Sequence, residues 1–518
     1  MKLYTAEQMR EIDEHAIGTV GVAAAALMET AGRAVAARVL SMMGSGPSKR
    51  VLVLVGKGNN GGDGLVAARV LHDAGVEVHI VLSSEPQSTE GPAASNLQAV
   101  RGMGIDVSVY LSGSEASSPE WQRPDLCIDA LLGVGSTGAP RGALKEMVEA
   151  ANRLPCPRLS VDIPTGLDAT TGIVEGKCIH ASATVTFGCG KVGLFADPGV
   201  RYCGSVEIVD IGFPRASVVR IEATTRAIDA EMVRDWLPDR PRFGNKGTFG
   251  NVAVIAGSSG MMGAAVLCSR AALRVGAGLV RLAAGQESLI AVNSMTPEVI
   301  CRPVPYSAGV FGPDSLDALR SLTEGARAVA IGPGISSRSE TAELIAALLP
   351  HIEAPMVIDA DALNILSGDP SVLRRLKAPA ILTPHPGEMS RLAGPPVEKV
   401  QAERIRHARE FAREWGVIVV LKGAATVVAS PEGEVLINTT GNAGMATAGT
   451  GDVLTGTITG LIAQGMSPFE AAGCGVYLHG AAGDHCAKRS GEVGIMASDL
   501  VEAIPHAQAR VRGGSKAL

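Results

Sequence analysis

The sequence predicts an α/β protein of two successive units, and three observations carry that expectation. Short β-branched runs alternate with helical patterns through most of the 518 residues, as in a mostly parallel sheet covered by helices. The alternation breaks between Phe213 and Pro241 and restarts at Asn251–Ala256. Polar or glycine-rich segments follow several of the runs, where an open α/β sheet presents groups to a ligand.

Thr5 and Gln8 have the spacing of a helix capping box, so helices are expected near Thr5–Ile17 and Ala23–Met43. Strands are expected at Val51–Val55, Val76–Leu82, Asp106–Leu111, Leu126–Asp129, Leu159–Ile163, Thr184–Phe187 and Val206–Val209. Isolated charges, prolines and a short helix fill the interruption. They put a boundary near residues 215–228, with one domain over 1–217 and a second over 226–509. In the second half, runs recur at Leu279–Ala283, Ala328–Ile331, Met356–Asp359, Ala380–Thr383, Val417–Leu421 and Thr426–Ala429. Helices are expected over Val453–Gln464 and Pro468–Lys488. The small, basic tail of residues 510–518 is expected to fray. No internal repeat links the halves, so they read as different α/β domains.

Composition narrows the function. The length exceeds one ordinary core, and 46% apolar residues with 63 glycines suit a globular chain with many tight turns. A net charge of −6 gives no support to a nucleic-acid surface. Nine cysteines lie singly, without Cys-x-x-Cys or zinc-type spacing; they read as small buried hydrophobes in a reducing compartment. The N-terminus lacks the apolar core of a signal peptide. No uninterrupted apolar stretch reaches the roughly 18 residues of a membrane span. A cytoplasmic protein is expected, with small-molecule partners, no membrane or nucleic-acid partner, and a homo-oligomeric state.

Chemistry is clearest at residues 442–452, Asn-Ala-Gly-Met-Ala-Thr-Ala-Gly-Thr-Gly-Asp, which run into an apolar helical pattern near Val453. Free backbone N–H groups at a helix N-terminus, aided by the helix dipole, form an anion site. Gly449 and Gly451 let the backbone approach a phosphate. Asp452 stands beside it, placed to take a proton from an attacking hydroxyl. The blander reading makes Asp452 a helix N-cap stabilising the first turn by roughly 1 kcal/mol. Three strand ends weigh against it: Lys422-Gly423-Ala424-Ala425-Thr426, Thr383-Pro384-His385-Pro386-Gly387-Glu388, and the run ending in Asp359 and Asp361.

In the first half, Val51–Val55 leads into Gly56-Lys57-Gly58-Asn59-Asn60-Gly61-Gly62-Asp63-Gly64. Gly56, Gly58 and Gly61 satisfy G-x-G-x-x-G, a weak signal alone. Asn59, Asn60 and Asp63 inside a glycine turn suggest recognition of hydroxyls, amides or a cation as well as phosphate. Asp129 leads into Gly133-Val134-Gly135-Ser136-Thr137-Gly138, and Asp162 into Ile163-Pro164-Thr165-Gly166-Leu167-Asp168. Unpaired carboxylates on one sheet edge repel and need a proton, cation or ligand. Oxygens of Asn60, Asp129 and Thr165 could share a hard cation.

Over nearly its whole length the chain resembles the bifunctional NAD(P)H-hydrate repair enzymes. The first-half resemblance rests on Asn59–Gly64, on Val161–Asp168, and on Thr186-Phe187 with Lys191-Val192-Gly193-Leu194. That half resembles the epimerase domain, which is Rossmann-like with three layers. Lys246–Asn251, Asp359–Asn364, His385–Glu388 and the loop through Asp452 resemble the nucleotide-dependent dehydratase domain, which is ribokinase-like. Lys57 and Ala443 stand where the family often has proline; neither change removes a polar contact.

The resemblance implies that the first domain interconverts R and S epimers carrying a hydroxyl at C6 of the reduced nicotinamide ring. The second would dehydrate the S form to NADH or NADPH, consuming ADP or ATP with Mg2+. By resemblance, Lys422, Gly423, Ala424, Ala425 and Thr426 hold the nucleotide together with Asn442, Ala443, Gly444, Met445, Ala446, Thr447, Ala448, Gly449, Thr450 and Gly451. Ala264, Gly334, His385 and Asp452 line the hydrate site. In the epimerase half, Asn59, Asn60, Gly61, Gly62, Asp63, Gly133, Val134, Gly135, Ser136, Thr137, Gly138, Ala139 and Asp162 hold NADHX or NADPHX. Asn60, Asp129 and Thr165 bind K+. Asp162 leads as acid/base there, with Lys191 either a second such group or a surface or structural cation. Two other readings stand beside this one: a ribokinase-like small-molecule kinase, and a non-catalytic binding module in the first half.

Overall fold

The computed structural model describes residues 1–44, 49–110, 112–113, 121 and 123–513. The chain divides into two compact units, Lys2–Thr225 and Arg226–Leu518, the second including Met1.

In the N-terminal unit, β1 (Lys2–Tyr4) precedes the main sheet. The sheet strands are β2 (Arg50–Val55), β3 (Glu77–Leu82), β4 (Asp106–Val109), β5 (Leu126–Ala130), β6 (Arg158–Val161), β7 (Ala183–Phe187) and β9 (Ser205–Val209), with β8 (Gly190–Lys191) pairing with β1. Their order is β4-β3-β2-β5-β6-β7-β9, all parallel. Counted along the chain this is 3-2-1-4-5-6-7, the doubly wound order whose direction reverses between β2 and β5. The central strands read as continuous apolar runs because helices cover both faces. Val51, Val53 and Val55 pack with Leu65 and Ala68 on one face. Leu52 and Leu54 pack with Met147 and Val148 on the other. Each fully buried Val, Leu or Met side chain among these contributes roughly 1.5–3 kcal/mol.

The capping box at the N-terminus forms as the spacing predicts: Gln8 N donates to Thr5 Oγ1 at 3.2 Å, and Thr5 N to Gln8 Oε1 at 2.9 Å. The expected strand Asp106–Leu111 ends earlier, at Val109, and Leu111 lies outside the described residues.

A short strand, β10 (Thr225–Ala227), falls at the division. The second unit holds β11 (Asn251–Ile255), β12 (Leu279–Ala284), β13 (Ile300–Pro303), β14 (Ala328–Ile331), β15 (Met356–Ile358), β16 (Ala380–Leu382), β17 (Ile418–Leu421), β18 (Val427–Ala429) and β19 (Val435–Ile437). They run β13-β12-β11-β14-β15-β16-β17-β18-β19, parallel through β17 and antiparallel beyond it. Here the direction reverses between β11 and β14.

Strands β13 and β19 had no sequence expectation. β13 is a largely exposed edge strand containing Arg302 and Pro303, and edge strands tolerate charge and proline. β19 has only three residues. The expectation of a frayed tail from residue 510 is corrected: the helix Ala497–Gly513 continues through it. Val511 packs against the core, its carbonyl accepts Arg234 Nε at 3.0 Å, and Arg512 donates to Pro238 O at 2.7 Å. Residues 514–518 lie outside the described residues. Among the described residues no helix is long and apolar enough to cross a membrane.

Candidate active sites

The N-terminal unit holds a cavity of about 780 Å³ at its strand-order reversal, between the segment after β2 and the segment after β5. Glycine is required there by close approach. A Cβ on Gly56 would stand 1.8 Å from the Leu131 carbonyl oxygen, and one on Gly61 1.9 Å from that of Gly56. The helix Asn59–Asp73 begins at Asn59, so Asn59–Asp63 are its first turn rather than part of a glycine turn. Turn-type composition had hidden the helix start. Asn59, Asn60 and Asp63 line the cavity, while Gly61 and Gly62 do not. Gly133, Val134, Gly135 and Ser136 line it too; Thr137, Gly138 and Ala139 do not.

Asp162 and Lys191 both reach this cavity. Asp162 follows β6 with φ +64°, strained backbone of the kind that gathers at functional sites. Its Oδ1 accepts Lys191 Nζ at 2.7 Å, Thr186 Oγ1 at 3.0 Å and Phe187 N at 3.2 Å. Lys191 is 1% exposed and also donates to Thr186 Oγ1 at 2.9 Å and Phe187 O at 2.8 Å. The surface reading of Lys191 and the unpaired reading of Asp162 are both corrected, since the chain supplies each with its partner. Asp63 differs. It is 8% exposed and lines the cavity, and its carboxylate takes no hydrogen bond from the described residues. Burial first, then the charges of Asp162 and Asp13, raise its carboxyl pKa well above the ordinary range. Asp13 lies on the helix Ala6–Glu14, which sequence reasoning did not bring to the site.

Asp129 lies inside β5, fully buried and outside the cavity lining. Thr165 Oγ1 donates to its Oδ1 at 2.6 Å; Thr165 N and Ser160 Oγ donate to Oδ2, each at 2.9 Å. Burial raises its pKa against those hydrogen bonds. Asn60 Nδ2 is buried without a hydrogen-bond partner.

In the C-terminal unit, the helix Thr450–Ala463 starts after Gly449, whose φ of +88° suits glycine. Asp452 is therefore the third helical residue, and its reading as an N-cap is corrected. The first-turn N–H groups have no intrahelical acceptor, and Ala446, Thr447 and Ala448 before them are exposed. Three strand ends converge here. Lys422 Nζ donates to Asp359 Oδ1 at 2.7 Å and lies 3.7 Å from Glu388 Oε2. Thr455 Oγ1 donates to Asp359 Oδ2 at 2.7 Å. A Cβ on Gly451 would stand 3.4 Å from Lys422 Nζ, so the ammonium touches the loop. Burial, then the anionic Asp359, raises the Asp452 pKa to about 7, with Lys422 opposing.

The structure also brings Ala264 and Gly334 together at the reversal between β11 and β14. A Cβ on Gly334 would lie 3.3 Å from that of Ala264. His385 caps the helix Pro386–Ala393: Gly387 N and Glu388 N donate to its Nδ1 at 3.0 and 3.3 Å. Burial lowers its pKa. Gly423 lies against the Arg404 guanidinium, and Thr426 Oγ1 donates to Gly423 O at 2.9 Å. Sequence reasoning missed Thr455, His479 and Asp484. All three lie on apolar helices, where nothing in the local pattern marks a polar residue as facing a loop.

The fold and the two sites define an α/β enzyme of two units. A family profile described as YjeF-related protein N-terminus matches residues 24–193, and one described as NAD(P)H-hydrate dehydratase matches residues 252–506. The chain is 42% identical over 512 residues to the bifunctional NAD(P)H-hydrate repair enzyme Nnr of Moorella thermoacetica, covering 98% of this chain and 96% of that one. It is 37% identical over 514 residues to the protein of that name from Thermofilum pendens, covering 99% and 97%. To the Escherichia coli protein of that name it is 34% identical over 498 residues, covering 96% and 92%. The chain belongs to the family of bifunctional NAD(P)H-hydrate repair enzymes.

Proposed function

We propose that the N-terminal unit epimerises R and S hydrates of NADH and NADPH, and that the C-terminal unit dehydrates the S form at the expense of ADP or ATP. The observation that carries the second half is Asp452 in the first turn of a glycine-led helix, beside Lys422 and with a pKa near neutrality. A general base is most effective when its pKa lies near the working pH. Asp452 takes the proton of the C6 hydroxyl, and that oxygen attacks the terminal phosphoryl group. Backbone N–H groups of residues 448–452 and Lys422 offset the developing charge. The ring nitrogen then expels phosphate from C6, and the resulting iminium loses a C5 proton to water, which leaves the C5–C6 double bond of NADH or NADPH. Mg2+ accompanying the nucleotide would supply charge neutralisation at its phosphates. Lys422–Thr426 and Asn442–Gly451 hold the nucleotide, and Ala264, Gly334, His385 and Asp452 line the hydrate pocket.

In the first unit, epimerisation breaks the C6–O bond and remakes it on the other face of the ring. Asp63, whose burial makes it hold its proton more tightly than an ordinary carboxyl, gives its proton to the departing hydroxyl. Asp162, oriented by Lys191, takes the proton of the water that adds back. Two carboxyls in unlike environments suit such paired roles. Asn60, Asp129 and Thr165 hold K+. A buried carboxylate without a cationic partner and a buried amide without an acceptor support this, because the amide oxygen and nitrogen can be exchanged in assignment. A reducing, cytoplasmic setting fits nine free cysteines.

A small-molecule kinase with a non-catalytic first half is the poorer reading, since the likeness to repair enzymes runs through both halves. The test supplies pure R or pure S hydrate with ADP or ATP, Mg2+ and K+. Reduced cofactor should appear from S directly and from R only after epimerisation. A stable phosphorylated alcohol in place of reduced cofactor would sink the proposal.

A further inference from the structure

The helix Pro468–Ser490 packs on the helix Thr450–Ala463 and presents a polar strip to the glycine-rich loop. At the start of the loop, Asp484 accepts Gly441 N and Asn442 Nδ2, each at 3.0 Å. Gly480 and Gly483 let the backbones approach: a Cβ would stand 2.3 Å from Thr440 Oγ1 at the first and 2.2 Å from Met445 Sδ at the second. At the end of the loop, His479 Nε2 lies 2.9 Å from Thr450 O. A carbonyl only accepts, so Nε2 carries the proton and donates. These four residues fall on one helix face, since positions four apart are neighbours.

The Thr450 carbonyl and the Gly451 N–H belong to one planar peptide unit. A hydrogen bond to that oxygen draws electron density toward it and makes the N–H on the far side a stronger donor. Gly451 N is a first-turn donor without an intrahelical acceptor, and it adjoins Asp452. Resting on the phosphoryl transfer set out above, we propose that His479 is a positioning residue that, by donating to Thr450 O, aims and polarises the Gly451 N–H toward the transferred phosphoryl group. Burial lowers the His479 pKa to about 4 against that same bond, so the ring is a neutral donor at working pH.

The test compares His479→Leu and His479→Gln in the full chain, with ADP, Mg2+ and pure S hydrate. Glutamine can set an amide N–H near the position of Nε2; leucine cannot donate. Removing an oxyanion donor outright costs about 10²–10³-fold, whereas polarisation changes a bond by a fraction. The leucine variant should therefore lose about 5- to 30-fold in kcat, with nucleotide KM within about threefold, and glutamine should recover most of the loss. Thermal unfolding of the C-terminal unit, which carries His479, and ADP binding by the same samples report folding. Unchanged kcat in the leucine variant, a loss confined to KM, or glutamine no better than leucine each overturns the inference. If the leucine variant has lost the thermal transition of the C-terminal unit, His479→Asn decides, because its amide is too short to reach Thr450 O. A kcat loss in that variant supports the inference, and wild-type kcat overturns it. Absence of dehydration by the wild-type chain would instead defeat the reading on which it rests.

Discussion

Lys422 and Asp359 meet at 2.7 Å where β17 and β15 end, and their contact sets both a cation and an anion beside Asp452. The two neighbours act oppositely on its proton, but burial and the anion prevail. A carboxyl that would ordinarily ionise near pH 4 is thereby poised near neutrality.

Replacing Asp452 by asparagine keeps its size and removes the proton acceptor. Dehydration of the S hydrate should fall by about 10²–10⁴-fold, the usual contribution of a general base. ADP affinity, measured by calorimetry, should change little, since in the proposed binding mode backbone N–H groups would make most phosphate contacts. Epimerisation should be untouched.

The pH dependence follows from the sign of the shift. Asp452 acts when ionised, so kcat/KM for dehydration should rise with pH, level off above about 7, and be lost as pH falls through that value. Asp359→Asn removes the neighbouring anion and should move the midpoint lower. A midpoint that stays put in that variant would separate Asp359 from the proton affinity of Asp452.

Asp162→Asn should stall conversion of R to S while dehydration of pure S continues. It also leaves Lys191, 1% exposed, without its charge partner. Breaking a buried pair costs about 3–5 kcal/mol, so urea denaturation should show a destabilised N-terminal unit. Asp162→Asn combined with Lys191→Met should recover part of that stability and none of the epimerisation. Recovery of epimerisation in the double variant would remove both residues from the chemistry.

Asn60→Ala should raise the K+ concentration needed for half-maximal epimerisation with little effect on the melting temperature, because Asn60 Nδ2 makes no hydrogen bond. Asp129→Ala should abolish the K+ response and also destabilise, since Thr165 and Ser160 lose their acceptor. An unchanged K+ titration in both variants would argue against the cation site.

Much of the fold was legible because its signals are local. Val51–Val55 and Ala328–Ile331 are short runs of apolar residues buried on both faces, and Thr5 with Gln8 spells its own cap. Strand β13 was not legible, because an exposed edge strand needs no apolar pattern. The start of the helix at Asn59 was hidden by residues that equally suit a turn. At the sites, Lys422, Asp359 and Asp162 were readable as polar residues ending apolar runs, and Asp452 as the carboxylate that closes a glycine-rich loop at a helix start. Asp13, Thr455, His479 and Asp484 were not, since each comes to its site on a helix whose facing direction depends on packing.

The order of residues alone determined that two α/β units follow one another, which strand ends carry polar groups, and where a glycine-led helix offers free N–H groups. Hydrophobic period, capping and glycine placement act over a few neighbouring residues, so they need no partner to be read. Which carboxylate is paired depended on the folded chain. Asp162 meets Lys191 across 29 positions, Asp359 meets Lys422 across 63, and Thr455 meets Asp359 across 96. Burial and the charges gathered by such long-range contacts set the proton affinities of Asp63 and Asp452, because desolvation and Coulomb forces depend on distance in space and not along the chain.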